Sequence, residues 1–329
     1  MNLRVVDHRV EATTSLRNPG FPLDLDWLGR IRMNRSALER RAATIGTRRT
    51  VKKDWQAAWL LKAITLIDLT TLNSDDTPGR VERLCAKARQ PVRSDILEGL
   101  GAGDLPIRPG AVCVYHSFVE TAVKALEGTD IPVAAVSTAF PHGLAPFETR
   151  IAEIEASVAA GAREIDIVIE RQMVLNGDWQ ALYDQVKAFR KACGDAHIKT
   201  ILGTGDLATL NNVAKASLVC MLAGADFIKT STGKEKVNAT LPVSLAMIRM
   251  IRWFAEETGV EIGYKPAGGI SSAKTALDYM ALIKEELGTH WLQPHLFRFG
   301  ASSLLTDIER QLEHNFTGRY SADYRQPMV

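Results

Sequence analysis

Eight times between Lys62 and His314, a short apolar run of strand character is followed by a helical stretch. This beat limits the fold more than any other feature. Strands separated by crossover helices pair in parallel, and parallel strands need helices on their faces. The expected strands are Ile64–Leu69, Ala111–Tyr115, Val133–Thr138, Glu164–Ile169, Ile198–Leu202, Phe227–Thr230, Ile262–Lys265 and Leu296–Phe299. The expected helices are Thr77–Arg89, Phe118–Leu126, Pro146–Ala160, Trp179–Ala192, Leu207–Leu222, Pro242–Thr258, Ser271–Leu287 and Ser303–His314. Gly161 and Gly224 follow helical runs, where a left-handed residue belongs, and Asp206 and Ser271 are N-cap candidates. The span from Lys62 to His314 matches the ~250 residues typical of a (β/α)8 barrel. An open, doubly wound sheet satisfies the same beat. The fold class read from the chain is α/β, a (β/α)8 TIM barrel with an N-terminal helical extension. Residues 1–60 form the extension, residues 61–315 the barrel and residues 316–329 a C-terminal tail.

The balance of residues is that of an ordinary globular chain, 46% hydrophobic and 24% charged over 329 residues. A net charge of +2 does not mark nucleic acid or a membrane as the partner. The cluster Arg40, Arg41, Arg48, Arg49, Lys52 and Lys53 reads as a solvated helical face. Cys85, Cys113, Cys193 and Cys220 form no C-x-x-C pair, and the segment MNLRVVDHRV lacks the apolar core of a secretory signal. Reduced thiols and a cytoplasmic location are expected. No apolar run reaches the ~18 residues of a membrane span.

Charges stand where parallel strands should be apolar. Asp166 lies within the fourth strand, Lys229 in the sixth and Lys265 in the seventh. An unpaired buried charge costs several kcal/mol or shifts its pKa. A salt bridge between Asp166 and one lysine accounts for two of the three and leaves the other lysine over. Strands six and seven are neighbours about 4.8 Å apart, so the two ammonium groups share one pocket and one acid. Their repulsion favours loss of a proton. At an ordinary pKa of about 10.4, roughly one lysine in 2,500 is a free amine at pH 7. A drop of about three units, ~4 kcal/mol, frees a large fraction of it. A free amine attacks carbonyls and forms an imine, which serves as an electron sink.

A phosphate site is expected in the loops after strands seven and eight, the usual place in such barrels. Pro266-Ala267-Gly268-Gly269-Ile270-Ser271 follows one strand and Gly300-Ala301-Ser302-Ser303 the other, the latter opening a helix. Glycines admit an anion to backbone N–H groups, and a helix N-terminus adds a favourable dipole. The sixth loop adds Thr232, Gly233 and Lys234.

These segments resemble the deoxyribose-phosphate aldolases. The resemblance is carried in order by Asp68-Leu69-Thr70-Thr71-Leu72-Asn73, Phe140-Pro141-His142-Gly143, Glu164-Ile165-Asp166, the run Asp226 to Lys234, Lys265-Pro266-Ala267-Gly268-Gly269, and the run Phe299 to Leu305. It extends from about Ile64 to Glu313, and the long N-terminus is similar to that of the eukaryotic-type members. It implies reversible cleavage of 2-deoxy-D-ribose 5-phosphate to acetaldehyde and D-glyceraldehyde 3-phosphate, with no metal and no cofactor. It implies Lys229 as the imine-forming lysine, Lys265 as the second lysine that lowers its pKa, and Asp166 as part of a proton relay. Asp68 and Thr70 would lie near the substrate hydroxyls or orient Lys265. Thr232, Lys234, Gly268, Gly269, Gly300, Ser302 and Ser303 would shape the phosphate site.

Leu202-Gly203-Thr204-Gly205 stands where some bacterial members carry an acid, and Tyr320 and Tyr324 stand near a terminus that in some members ends in an active-site tyrosine. Cys113 reads as a small core residue able to line the pocket. Lys199 reads as structural or as a minor electrostatic contributor. The alternatives are another lysine-dependent lyase or transaldolase of the same fold, and a non-catalytic sugar-phosphate sensor. The expected partners are the phosphorylated sugar and acetaldehyde, with a homodimer possible and neither nucleic acid nor membrane.

Overall fold

The computed structural model describes residues 17–48, 50–319 and 321–326. Among the described residues four helices precede the first strand: α1 (Leu25–Arg30), α2 (Arg35–Ala43), α3 (Ile45–Arg48) and α4 (Lys53–Thr65). The barrel then runs β1 (Ile67–Thr70), α5 (Pro78–Arg89), α6 (Ser94–Gly99), β2 (Ala111–Tyr115), α7 (Val119–Ala125), β3 (Val133–Ser137) and α8 (Phe147–Ala159). It continues with β4 (Glu164–Val168), α9 (Arg171–Asn176), α10 (Trp179–Ala192), β5 (His197–Ile201), α11 (Leu210–Leu222) and β6 (Phe227–Lys229). The last elements are α12 (Leu241–Thr258), β7 (Gly263–Lys265), α13 (Ala273–Glu286), β8 (Phe299–Ala301) and α14 (Ser303–Thr317).

The eight strands pair in parallel in the order β7-β6-β5-β4-β3-β2-β1-β8. The ring is joined between β7 and β8 by bridges at Tyr264–Phe297 and Ala267–Gly300. This is the expected barrel rather than an open sheet. Its apolar strand residues, among them Ile165, Ile167, Ile198 and Ile228, are fully buried against the helices.

Several boundaries differ from the sequence expectation, each for a local reason. Ile64 belongs to α4, not to the first strand. Ala57, Leu60, Leu61 and Ile64 recur at helical spacing and are all buried on one face. The last strand starts at Phe299, because the amides of Leu296 and Phe297 both donate to the Gln293 carbonyl in a turn. α11 starts at Leu210, capped by Thr209, and α13 at Ala273, capped by Ser272. Asp206 and Ser271 therefore cap neither helix. Gly161 and Gly224 do take positive φ, +101° and +100°.

The extension packs onto the barrel. Trp27 meets Trp253 and Phe254 of α12 at ring separations of 5.4 and 6.1 Å. The Asn18 amide donates to the Met221 and Ala225 carbonyls at 2.7 and 2.9 Å. Arg41, from the basic cluster, is held by Glu285 and Glu286 of α13 at 2.5 and 3.2 Å. At the other end, α14 runs to Thr317, and Glu313 on it accepts from Arg325 and Gln326 at 2.8 and 2.6 Å. Residues 321–326 are thus tied to α14 rather than loose. Tyr324 between these contacts and the solvent is 84% exposed, and Tyr320 lies outside the described residues. Among the described residues no helix is long and apolar enough to cross a membrane.

Candidate active site

Side chains two apart on a strand share a face. Glu164 and Asp166 of β4 therefore both point into the barrel, where they meet Lys199 from β5, Lys229 from β6, Lys265 from β7, Asp68 from β1 and Arg298 just before β8. All seven are buried. Lys229 and Lys265 are register partners across β6 and β7. Both donate to Asp166 Oδ2 at 2.7 Å. Lys265 also donates to Asp68. Lys199 Nζ reaches Glu164, Asp68 and Asp166 at 2.5, 3.1 and 3.1 Å. Arg298 closes the ring on Asp68 at 2.5 Å and on Glu164 at 2.9 Å.

Burial is the strongest influence on each of the three lysines and on its own favours the neutral amine. At Lys199 the carboxylates of Asp166, Asp68 and Glu164 overcome it and hold the ammonium well above the ordinary lysine value. At Lys265, Asp166 and Asp68 do the same. Lys229 has one carboxylate within hydrogen-bonding reach. Burial wins there, with Lys265 adding to it, and the pKa lies below the ordinary value. The expected repulsion between the two lysines is present, but it ranks behind burial. Burial also opposes ionisation of Asp166, yet Lys199, Lys229 and Lys265 hold it well below the usual carboxylate range.

Above this network a cavity of about 650 Å³ opens at the C-terminal ends of the strands, with Lys229 in its lining. Thr70, Thr232, Lys234, Gly268, Gly269, Gly300, Ser302 and Ser303 all line it. Asp68 is fully buried beneath, on Lys265 and Arg298, and is absent from the lining. The Thr70 hydroxyl donates to the Asp68 carbonyl at 2.6 Å. Gly268 has φ +80°, and a Cβ there would fall 2.5 Å from Asn238. Ser302 and Ser303 are exposed at the start of the fifteen-residue helix α14, whose free N–H groups and dipole favour an anion. An amine of lowered pKa thus sits below a cleft that Lys234, two serines and a helix N-terminus open onto.

A family model described as DeoC/LacD family aldolase matches residues 62–307. The chain belongs to the DeoC/LacD family of aldolases. It is similar to the deoxyribose-phosphate aldolase of Homo sapiens, 58% identical over 316 residues, which is 95% of this chain and 99% of that one. The Bos taurus deoxyribose-phosphate aldolase is 56% identical over the same shares of the two chains. The solved deoxyribose phosphate aldolase of Aeropyrum pernix matches the fold with a TM-score of 0.59 at 23% identity, covering 85% of this chain and 99% of that one.

In this aldolase, Lys199, read from the sequence as structural or as a minor electrostatic contributor, touches all three buried acids. Glu164 and Arg298 complete the ring. A signal for Arg298 existed, an arginine inside the apolar run Leu296–Phe299. Cys113 does not line the cavity. It is fully buried beside Leu72, Ala134 and Val136, and burial pushes its thiol pKa up. His116 bonds to Ser157 at 3.0 Å, away from the lysines.

Proposed function

We propose that the chain catalyses the reversible aldol cleavage of 2-deoxy-D-ribose 5-phosphate to acetaldehyde and D-glyceraldehyde 3-phosphate, through an imine on Lys229. One observation carries this reading. Of three lysines in the barrel, Lys229 alone lines the cavity and has its pKa lowered. The neutral amine adds to the C1 carbonyl of the open-chain sugar, and loss of water gives the iminium. Removal of the C3 hydroxyl proton then breaks the C2–C3 bond, releasing D-glyceraldehyde 3-phosphate and leaving the enamine. Protonation at C2 and hydrolysis release acetaldehyde and restore Lys229. Lys265 is held protonated beside the reacting nitrogen and has a proton to give. Asp166 is held ionised and accepts from both lysines, keeping them in register. Asp68 orients Lys265 from below. Thr232, Lys234, Gly268, Gly269, Gly300, Ser302 and Ser303 receive the phosphate, and Thr70 faces the sugar. The work is expected to take place in the cytoplasm.

Borohydride reduction in the presence of acetaldehyde, followed by peptide mass spectrometry, tests the assignment. An ethyl adduct on Lys229, lost in Lys229→Arg because a guanidinium stays protonated, is the expected result. An adduct on Lys265 would exchange the two lysines' roles, and a folded protein with no adduct would end the imine reading.

A further inference from the structure

Three loops beside the cavity meet at a residue that does not line it. Arg171 opens α9, beyond the end of β4, and its guanidinium reaches three neighbouring loops. Nη2 donates to Glu235 in the loop after β6 at 2.8 Å. Nη1 donates to the His142 carbonyl at 3.2 Å and to that of Pro141 at 3.4 Å, in the loop after β3. Nε stands 3.1 Å from the Asp206 carboxylate, after β5. Gly203 leaves room for it, since a Cβ there would sit 2.1 Å from Nε. A planar fork with five N–H groups can serve three directions, which one ammonium cannot.

Glu235 passes this hold to the cavity wall. Its carboxylate accepts from the Thr232 amide at 3.0 Å and the Thr232 hydroxyl at 2.7 Å. The same hydroxyl accepts from the Lys234 amide at 3.1 Å. Asn238 donates to the Glu235 carbonyl at 2.9 Å and lies against Gly268 of the next loop. Thr232, Gly233 and Lys234 face the cavity, whereas Arg171 and Glu235 do not. A carboxylate close to an anion site repels the anion unless a cation is paired with it, and Arg171 is that cation.

We propose that Arg171 is a positioning residue which, through Glu235, sets the shape of the loop after β6 and so the preference for a phosphorylated over an unphosphorylated sugar. The proposal rests on the reading above that this cavity takes a sugar phosphate. Steady-state kinetics of the wild type, Arg171→Met and Arg171→Lys on 2-deoxyribose 5-phosphate and on 2-deoxyribose test it, alongside amide hydrogen exchange over residues 230–238. Arg171→Met is expected to raise KM for the phosphorylated sugar about tenfold while kcat, and both constants for 2-deoxyribose, stay within about twofold. Exchange at Thr232 and Lys234 should quicken with β6 unchanged. Arg171→Lys restores the charge without the fork, and should recover only part of the loss. Equal losses on both sugars, unchanged exchange, or full recovery by lysine would overturn the proposal. A wild-type enzyme indifferent to the phosphate would sink the functional reading instead. The exchange data would then decide alone whether Arg171 holds the loop.

Discussion

Lys229 sits between opposing influences that can be removed one at a time. Burial lowers its pKa, Asp166 raises it and Lys265 lowers it. Only the neutral amine attacks acetaldehyde, so the rate of borohydride-trapped adduct formation falls as pH drops through the Lys229 pKa. Lys265→Met takes away a like charge, raises that pKa and is expected to move the acid limb of trapping to higher pH. Asp166→Asn takes away the carboxylate, lowers the pKa further and is expected to move the limb to lower pH. Shifts in one common direction would mean that the network, and not these two charges, governs the amine. Lys229 and Lys265 were legible because a charge in a strand is anomalous against its apolar neighbours. Their ranking was not, since it depends on how many carboxylates each Nζ reaches across the barrel. Lys199 reaches three and Lys229 one, and no spacing along the chain encodes that.

At the level of elements, the strand–helix beat revealed the barrel because period two and period 3.6 leave different apolar spacings. It misplaced ends where one period runs into the other. Ile64 is apolar and adjoins the first strand, but its partners are three, four and seven residues back on a helix. The expected last strand holds in part: Leu296 and Phe297 close a turn on Gln293 while the same segment bridges to Tyr264, and the regular strand begins only at Phe299. The strand ends are also where the buried acids are secured. Arg298 pairs with Asp68 and Glu164, and removing one partner of a buried ionic cluster costs about 3–5 kcal/mol. Arg298→Met should lower stability by that order, read from the urea midpoint. In addition, Asp68 and Glu164 have pKa values below those of ordinary carboxylates. Their contribution to stability is therefore present above the ordinary carboxylate pKa and lost as pH falls through the depressed value. With Arg298 gone the depression shrinks, so acid unfolding should begin at higher pH than in the wild type. An onset unchanged in pH would show that the two lysines suffice.

Taken whole, the molecule is a barrel with the described part of its N-terminal segment, from Arg17 on, packed across α11, α12 and α13. Of the basic cluster read as a solvated face, Arg40, Lys52 and Lys53 are exposed, Arg41 is engaged by acids of α13 and Arg49 lies outside the described residues, while Trp27 is 6% exposed. Such long-range pairings join residues more than 220 positions apart, 244 for Arg41 and Glu285, and only the folded chain shows them. Trp27→Ala should cost about 3–5 kcal/mol in denaturant unfolding, as for a large aromatic removed from a core. A cost near zero would make the extension an appendage. The barrel interior carries a further consequence. Four basic side chains face three carboxylates there, so the chamber reaches electrical balance when one lysine is neutral. An iminium on that nitrogen brings the surplus positive charge back. In cleavage the iminium loses that charge when the C2–C3 bond breaks and the C3 hydroxyl gives up its proton, leaving the neutral enamine. Charge parity therefore favours the neutral enamine over its cationic precursor, and with it the carbon–carbon bond breaking that forms the enamine.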